Sequence, residues 1–197
     1  MKTGNMIWGV AAAAFMAGST AATAEEPTYS YIEGGAGYAQ VDTPGGKGDG
    51  GYWAGFSARL ADKLYINGRY GRYDLARYSI HAAGEFELGQ LNFGYRLPIG
   101  EHSDFNAEIG FDQFDISDSA GARDDDGSGA RASVGVRLRS GSRVDSRIYL
   151  GYTQAQQDVF LGVEGSFPLT QRLGFTLQFE SYEGDRNLLR GGLRLGF

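Results

Sequence analysis

Three observations predict an all-β protein, a transmembrane antiparallel up-and-down β-barrel. Apolar residues alternate with polar or small residues in run after run, which is the period of a strand with its two faces in different media. Breaks rich in Gly, Asp, Ser and Pro separate these runs. The last run, Leu188–Phe197, ends on an aromatic residue with no polar tail after it. Alternating strands joined by turns are the sequence signature of a membrane barrel.

The last run shows the alternation most clearly. Leu189, Leu195 and Phe197 share one parity, and Arg190 and Arg194 share the other. A soluble sandwich would place the apolar parity in a core. A membrane barrel places it against lipid and turns the arginines into the lumen. The soluble alternative explains the alternation but leaves the aromatic end unexplained, so we favour the barrel.

Composition supports the same fold class. Glycine makes up 32 of 197 residues, with 12 Tyr and 12 Phe, and this is about twice the average glycine usage of roughly 7%. The chain has no cysteine, which excludes disulfides and thiol chemistry. The formal net charge of −6 argues against a nucleic-acid partner. After the N-terminal segment no long apolar run remains, so a helical membrane protein is excluded.

The N-terminus has the features of a secretory signal peptide. Lys2 supplies a positive charge, Met6–Ala17 is a short apolar stretch, and Ala22-Thr23-Ala24 forms an A-x-A cleavage site before Glu25. A transmembrane anchor would need about 20 apolar residues. We therefore expect residues 1–24 to be removed and residues 25–197 to form one barrel domain with a net charge of −7, since Lys2 is lost.

Taken in order, the alternating runs predict ten strands, with eight as the alternative because sequence-based boundaries shift by several residues. The predicted strands are Tyr29–Val41, Gly51–Leu60, Leu64–Asp74, Glu85–Leu97, Asp104–Ser117, Ala130–Arg139, Ser146–Ala155, Asp158–Pro168, Leu173–Tyr182 and Leu188–Phe197. In the fourth run the apolar parity changes between Leu88 and Leu91, which predicts a bulge near Gly89–Gln90.

The breaks between the runs differ in length on the two sides of the predicted barrel. Breaks after the second, fourth, sixth and eighth strands are short, whereas Asp42–Gly50, Leu75–Gly84 and Asp118–Gly129 are long and polar. An even number of strands places both termini on one side. Short turns on the periplasmic side and longer loops outside are expected of bacterial outer-membrane barrels.

Three stretches resemble small bacterial outer-membrane β-barrels of the OmpA/OmpX-like superfamily, and most closely the porin-like "quorum-factor" family. They are Tyr29–Gly35 (Tyr-Ser-Tyr-Ile-Glu-Gly-Gly), Tyr95–Pro98 (Tyr-Arg-Leu-Pro) and the end of the chain from Gly192 to Phe197. The resemblance implies the fold and a location in the outer membrane. It also implies that Gly192, Leu195 and Phe197 form the terminal signal read by the barrel-assembly machinery.

Charged residues on the lumen parity form the most informative set. They are Glu33, Arg59, Arg69, Arg96, Glu108, Asp112, Arg131, Arg137, Arg139, Arg147, Glu164, Glu180, Arg190 and Arg194. One interpretation is a charged pore lining, and the other is an interior filled by ion pairs. Barrels of this size have interiors just wide enough for side chains to fill, so we expect a filled lumen. Glu180 and Arg190 should approach each other, with Glu33 able to reach the same region.

Residues that could carry catalysis or bind a metal are few. His81 lies in a predicted outside loop near Ser79, and His102 lies in a predicted periplasmic turn. A lone histidine without a positioned partner is weak evidence for catalysis. Asp124-Asp125-Asp126-Gly127 lacks the spaced ligands of a calcium loop. We expect no catalytic residue, no metal and no cofactor.

The sequence therefore predicts a non-enzymatic outer-membrane barrel with a structural, surface-interaction or stress-related role. A narrow porin-like channel for small solutes is the alternative, and a lipid A-modifying enzyme ranks third. The expected partners are outer-membrane lipid, lipopolysaccharide and the barrel-assembly machinery, with no nucleic acid. We expect a monomer in the cell outer membrane.

Overall fold

The computed structural model describes residues 29–41, 47–77, 84–118, 125–140, 144–183 and 186–197. The predicted signal peptide, its cleavage site after Ala24, and His81 lie outside the described residues. None of the described segments forms a helix long and apolar enough to cross a membrane.

Ten antiparallel strands form a closed barrel, which confirms the predicted fold class and the strand number. The strands are β1 (Tyr31–Val41), β2 (Lys47–Arg59), β3 (Leu64–Arg77), β4 (Gly84–Gly100), β5 (Ser103–Asp118), β6 (Asp125–Ser140), β7 (Val144–Thr153), β8 (Asp158–Pro168), β9 (Leu173–Tyr182) and β10 (Arg186–Gly196). Each strand pairs with its neighbours in the chain, and β1 pairs with β10 to close the barrel. We call the end where β1 begins and β10 ends the terminal end, and the opposite one the far end.

Outside the first half of β4, the predicted parity holds because successive side chains of a strand point to opposite faces. Large apolar side chains on the outward parity stay exposed, and they include Ile32, Phe56, Leu91, Phe93, Ile109, Val134, Leu150, Leu177 and Leu193. The lumen parity buries polar and charged groups instead. An apolar outer surface around a polar interior is the arrangement that suits a barrel in lipid.

The predicted bulge near Gly89–Gln90 is wrong. The register of β4 with β3 and β5 runs without a shift from Gly84 to Leu97, and its one irregularity lies between Pro98 and Gly100. Phe86 and Leu88 keep the lumen parity and are buried. The apolar parity changes because the lumen itself is apolar at the far end.

Six strands, β2 to β6 and β10, reach further toward the far end than predicted, by one to five residues. β3 continues to Arg77, β5 to Asp118, and β6 begins at Asp125. The connections at the far end are 42–46, 78–83, 119–124, 154–157 and 183–185, and all but 154–157 are shorter than predicted. Those at the terminal end are 60–63, 101–102, 141–143 and 169–172. Leu75, in the extension of β3, is buried on the inner face.

An apolar cluster fills the far end of the lumen. Its members are Ala39, Tyr73, Leu75, Phe86, Leu88, Phe114, Ile116, Tyr149, Phe160, Tyr182 and Leu188. Burial of such side chains stabilises each by about 1.5–3 kcal/mol relative to exposure. The barrel thus has a core like that of a soluble protein above its charged interior.

Candidate functional site in the barrel lumen

The lumen-facing charges occur in clusters at different heights, and each cluster pairs acids with arginines. The cluster nearest the apolar far end is centred on Glu180. Its carboxylate accepts hydrogen bonds from Arg131 Nη2 at 3.0 Å, Arg190 Nη1 at 3.0 Å and the Tyr149 hydroxyl at 2.8 Å. Arg190 also donates from Nε to the Tyr73 hydroxyl at 2.7 Å. These contacts join five strands, and Tyr73 and Tyr149 also belong to the apolar cluster.

A second cluster joins β1, β8 and β10 closer to the terminal end. Arg194 Nη2 lies 2.6 Å from Glu33 Oε2 and 2.5 Å from Glu164 Oε1. Arg69 approaches the same two carboxylates at 3.5 and 3.8 Å. Gln178 donates to Glu33 at 3.0 Å. Two acids therefore share two arginines, which balances charge in a space that water does not screen.

A third cluster is built around Glu108 on β5. Its carboxylate accepts hydrogen bonds from the Tyr65 hydroxyl at 2.8 Å and Asn67 Nδ2 at 2.9 Å. Arg147 Nη2 lies 2.9 Å from Glu108 Oε2. Arg147 also donates from Nε to Asn106 at 2.9 Å. This cluster spans the lumen from β3 to β7.

The terminal end is closed by Tyr29, which directly precedes β1. Its hydroxyl donates to Asp104 Oδ2 at 3.0 Å, and its ring lies 4.7 Å from the Arg137 guanidinium and 5.3 Å from that of Arg96. Arg137 in turn donates to Asp145 at 2.7 Å. Burial raises the pKa of the Tyr29 hydroxyl to about 12, so it remains a donor at neutral pH. Tyr29, itself buried, therefore links the start of β1 to β4, β5 and β6 at this end of the lumen.

Between the clusters lies a small polar void. It has a volume of about 20 Å³ and is lined by residues that include Arg69, Gln90, Asn92 and Glu108. Gln90 Nε2 and Asn92 Oδ1 are buried without a protein partner. A void of this size holds about one water molecule, which would hydrogen-bond such groups. It is not large enough for a solute.

The lumen residues named from the sequence do not form one network. They lie in separate clusters and, for Arg59, at the rim. Arg190 and Glu180 lie together, whereas Glu33 contacts Arg194, Arg69 and Gln178 in the separate second cluster. Asp112 accepts a hydrogen bond from Thr153 at 2.7 Å, and Arg139 lies 3.9 Å from Asp145. Arg59 lies at the rim of the terminal end, where it pairs with the exposed Asp62 at 3.1 Å.

Sequence reasoning missed the aromatic half of the lumen. Tyr65, Tyr73 and Tyr149 carry the hydroxyls that bind the buried ions. Their lumen parity was readable from the alternation. It was overlooked because an aromatic residue in a membrane strand is expected to face lipid. Asp104 and Asp145 were also missed, since both lie at strand ends.

The outer surface changes character toward the far end. Beyond the exposed apolar residues, the outward positions of β3, β4 and β5 become charged. Arg72 lies 2.5 Å from Glu85 and 3.5 Å from Glu87, and Asp115 follows on β5 in register with Glu87. We call Arg72, Glu85, Glu87 and Asp115 the charged collar. Exposed ion pairs of this kind belong in water or at a headgroup surface, not in hydrocarbon.

The structure locates some of the candidate metal-binding and catalytic residues named from the sequence. No group of three or more His, Cys, Asp or Glu side chains there could hold a metal ion. Of Asp124-Asp125-Asp126-Gly127, Asp124 lies outside the described residues and Asp126 is exposed. His102 is exposed in the turn between β4 and β5, at the terminal end.

Solved outer-membrane barrels resemble the chain in architecture. No protein-family model and no curated protein sequence matches it. OprG from Pseudomonas aeruginosa aligns with 14% identity and a TM-score of 0.46 over 89% of this chain and 99% of its own. Ail, the attachment invasion locus protein of Yersinia pestis, aligns with 14% identity and a TM-score of 0.44 over 87% of this chain and 100% of its own. Neisserial surface protein A aligns with 13% identity and a TM-score of 0.43 over 85% and 96%.

Proposed function

We propose that this protein is a non-enzymatic outer-membrane barrel with a closed lumen and a structural or surface-interaction role. The observation that carries the proposal is the filling of the lumen from end to end. Tyr29 covers the terminal end, ion clusters occupy the middle, and the apolar cluster occupies the far end. A steady aqueous pore needs a continuous polar path, and an apolar plug interrupts one.

Two features support the outer membrane as the location. The exposed apolar outer surface would be unfavourable in water, because soluble monomers rarely expose apolar patches beyond a few hundred Å². The predicted signal peptide supplies a route of export. A spanning barrel leaves no unpaired sheet edge in the hydrocarbon, and the pairing of β1 with β10 meets that requirement.

The charged collar supports a surface-interaction role. Its residues lie on the paired backbone of β3, β4 and β5 rather than on loops. A rigid charged surface at the far end, which we assign to the cell exterior, suits contact with lipopolysaccharide or with an external partner. None of these contacts supports the stress-related role that the sequence also permits.

The narrow channel for small solutes is the alternative function. The polar void beside Gln90 and Asn92 is the observation that favours it. A channel would require the void to extend past Arg190 and the apolar cluster on one side and past Tyr29 on the other. That extension would demand rearrangement of buried side chains on several strands.

Single-channel recording in planar bilayers tests the closed lumen. The wild-type protein should show little or no steady conductance. Arg190→Ala removes the side chain that links Glu180 to Tyr73 and should raise conductance or permeability to small solutes. Arg72→Ala, which breaks an exposed pair on the outer surface, serves as the control and should behave like wild type.

Two outcomes would overturn the proposal. One is a large, steady wild-type conductance that Arg190→Ala leaves unchanged, which would favour the channel. The other is recovery of the folded protein outside the outer-membrane fraction. Lipid A mass spectra from cells with and without the protein test the remaining enzymatic alternative, and identical spectra are expected.

A further inference from the structure

The seam between β1 and β10 joins the first and last strands of the barrel and has an unusual lumen face. Gly35 on β1 pairs with Gly192 on β10, and both occupy lumen parity. A Cβ atom on Gly35 would lie 2.2 Å from the Gly191 carbonyl oxygen, and one on Gly192 would lie 2.2 Å from the Gly34 oxygen. Both positions therefore exclude any side chain. Because both residues are glycines, this pair contributes no side-chain contact to the lumen face of the seam.

Trp53 on β2 contacts both strands of the seam instead. Its indole is only 2% exposed. The indole Nε1–H is shared between the Ala36 oxygen on β1, at 3.1 Å, and the Gly191 oxygen on β10, at 3.3 Å. Ala36 and Gly191 are partners across the seam. One donor from a third strand thus bridges the two strands that close the barrel.

Charged neighbours hold the same region. The Arg69 guanidinium lies 5.9 Å from the Trp53 ring centroid, within the range of a cation–π contact. Arg69 also reaches Glu33 on β1 at 3.5 Å. Glu33 pairs across the seam with Arg194 on β10 at 2.6 Å. The indole and the ion cluster therefore bridge the seam together.

We propose that Trp53 is a latch for barrel closure, meaning a side chain that holds β1 and β10 together once they have paired. Gly192, which has no side chain, lets β10 approach β1 closely enough for the indole to reach both strands. The indole finds both acceptors only after β10 has paired with β1, since one acceptor lies on each strand. Gly192 then has a packing role in the finished barrel in addition to its expected role in the terminal signal. This inference concerns closure and does not depend on whether the lumen conducts.

Engineered disulfides can separate a latch from a general packing role, because the chain has no native cysteine. Ile32 and Leu195 are outward partners across the seam, and Val134 and Leu150 are outward partners between β6 and β7. Direct antiparallel partners lie within the Cα separation that a disulfide spans. On a denaturing gel, an unboiled folded barrel migrates faster than the unfolded chain. The temperature at which this faster band disappears measures the stability of the barrel.

Trp53→Phe should lower that temperature, whereas Tyr52→Phe, on the outward face next to it, should not. In protein carrying the oxidised Ile32→Cys/Leu195→Cys pair, Trp53→Phe should no longer lower it. In protein carrying the Val134→Cys/Leu150→Cys pair, the effect of Trp53→Phe should persist. An equal effect of Trp53→Phe with both disulfides, or no effect in the parent, would overturn the latch.

A measurement without changes at the latch covers the case in which Trp53→Phe fails to fold. In mature protein that begins at Glu25, Trp53 is the one tryptophan, so its indole proton gives a single resonance. Hydrogen exchange of that proton should be as slow as exchange of the hydrogen-bonded amides of the seam. Exchange many times faster than those amides would mean that the indole is not held at the seam.

Discussion

Arg190 on β10 and Glu180 on β9 form an ion pair in which Arg190 Nη1 lies 3.0 Å from Glu180 Oε2, with the two side chains 1% and 0% exposed. The register pairs Arg190 with Gln178 and Glu180 with Leu188, so the two ions are diagonal neighbours across one ladder. Arg131 and Tyr149 complete the coordination of the carboxylate from β6 and β7. The pair therefore connects the closing hairpin of the barrel to the opposite wall.

Glu180→Gln should be strongly destabilising. It keeps the shape of the side chain but leaves Arg190 and Arg131 buried without their shared counter-ion. Removing one partner of a buried pair costs about 3–5 kcal/mol. Reversible urea unfolding in lipid vesicles, followed by fluorescence, measures the change.

Glu85→Gln provides the matched control. Glu85 pairs with Arg72 at 2.5 Å, but both side chains are 40% exposed, and exposed pairs contribute about 0–1 kcal/mol. Equal losses for the two variants would mean that the lumen around Glu180 is well hydrated.

The outward parity predicts a depth-dependent cost for arginine on β6. Val136→Arg places a charge in the apolar belt and should cost about 2–4 kcal/mol. Ser128→Arg, on the same face of the same strand but toward the far end, should cost about 0–1 kcal/mol. Unfolding from vesicles compares the two free energies, and a larger loss for Ser128→Arg would reverse our placement of the membrane.

Lumen residues are poor controls for that experiment. Gln178 and Ser133, the lumen neighbours of outward apolar residues, are themselves buried and hydrogen-bonded to Glu33 and Glu108. An arginine at either position would disrupt the ion clusters.

Phe197 should matter more for assembly than for the stability of the finished barrel. Its side chain is 72% exposed, while its backbone N–H donates to the Ser30 oxygen at 3.1 Å. Phe197→Lys should therefore reduce the amount of assembled barrel in membranes. Gel electrophoresis of unboiled samples measures this amount as the fast-migrating band of folded protein. Leu169→Lys, at another exposed apolar position at the terminal end (61% exposed), should reduce it less. Equal amounts of that band in Phe197→Lys and wild type would contradict a signal role.

Export predicts a defined mature terminus. N-terminal sequencing of protein from outer-membrane fractions should begin at Glu25, because the A-x-A site ends at Ala24. Replacing Ala24 with a bulky residue should retard cleavage, whereas the same change at Ala36, on β1, should leave cleavage unaffected. Mature protein that still begins at Met1 would rule out the signal peptide.

The amino-acid sequence alone determined the barrel, its ten strands and, outside the first half of β4, which side chains face the lumen. Each of these follows from a period of two, which is a local property of consecutive residues. Arg190 and Leu189 must face opposite sides wherever the strand lies. The common side of both termini then follows from the even number of strands.

Only the tertiary structure determines how far along the barrel axis each residue lies. Parity assigns Glu33 and Glu180 to the lumen, but it does not say which residues they meet, and the bulge predicted in β4 would have turned Phe86 outward. Which residues meet depends on the registers of all ten ladders, since each register displaces a strand relative to the next. These displacements place Glu33 beside Arg194, Glu180 beside Arg190, and Phe86 in the apolar cluster. An apolar lumen at the far end is therefore a product of closure, and no single run of sequence contains it.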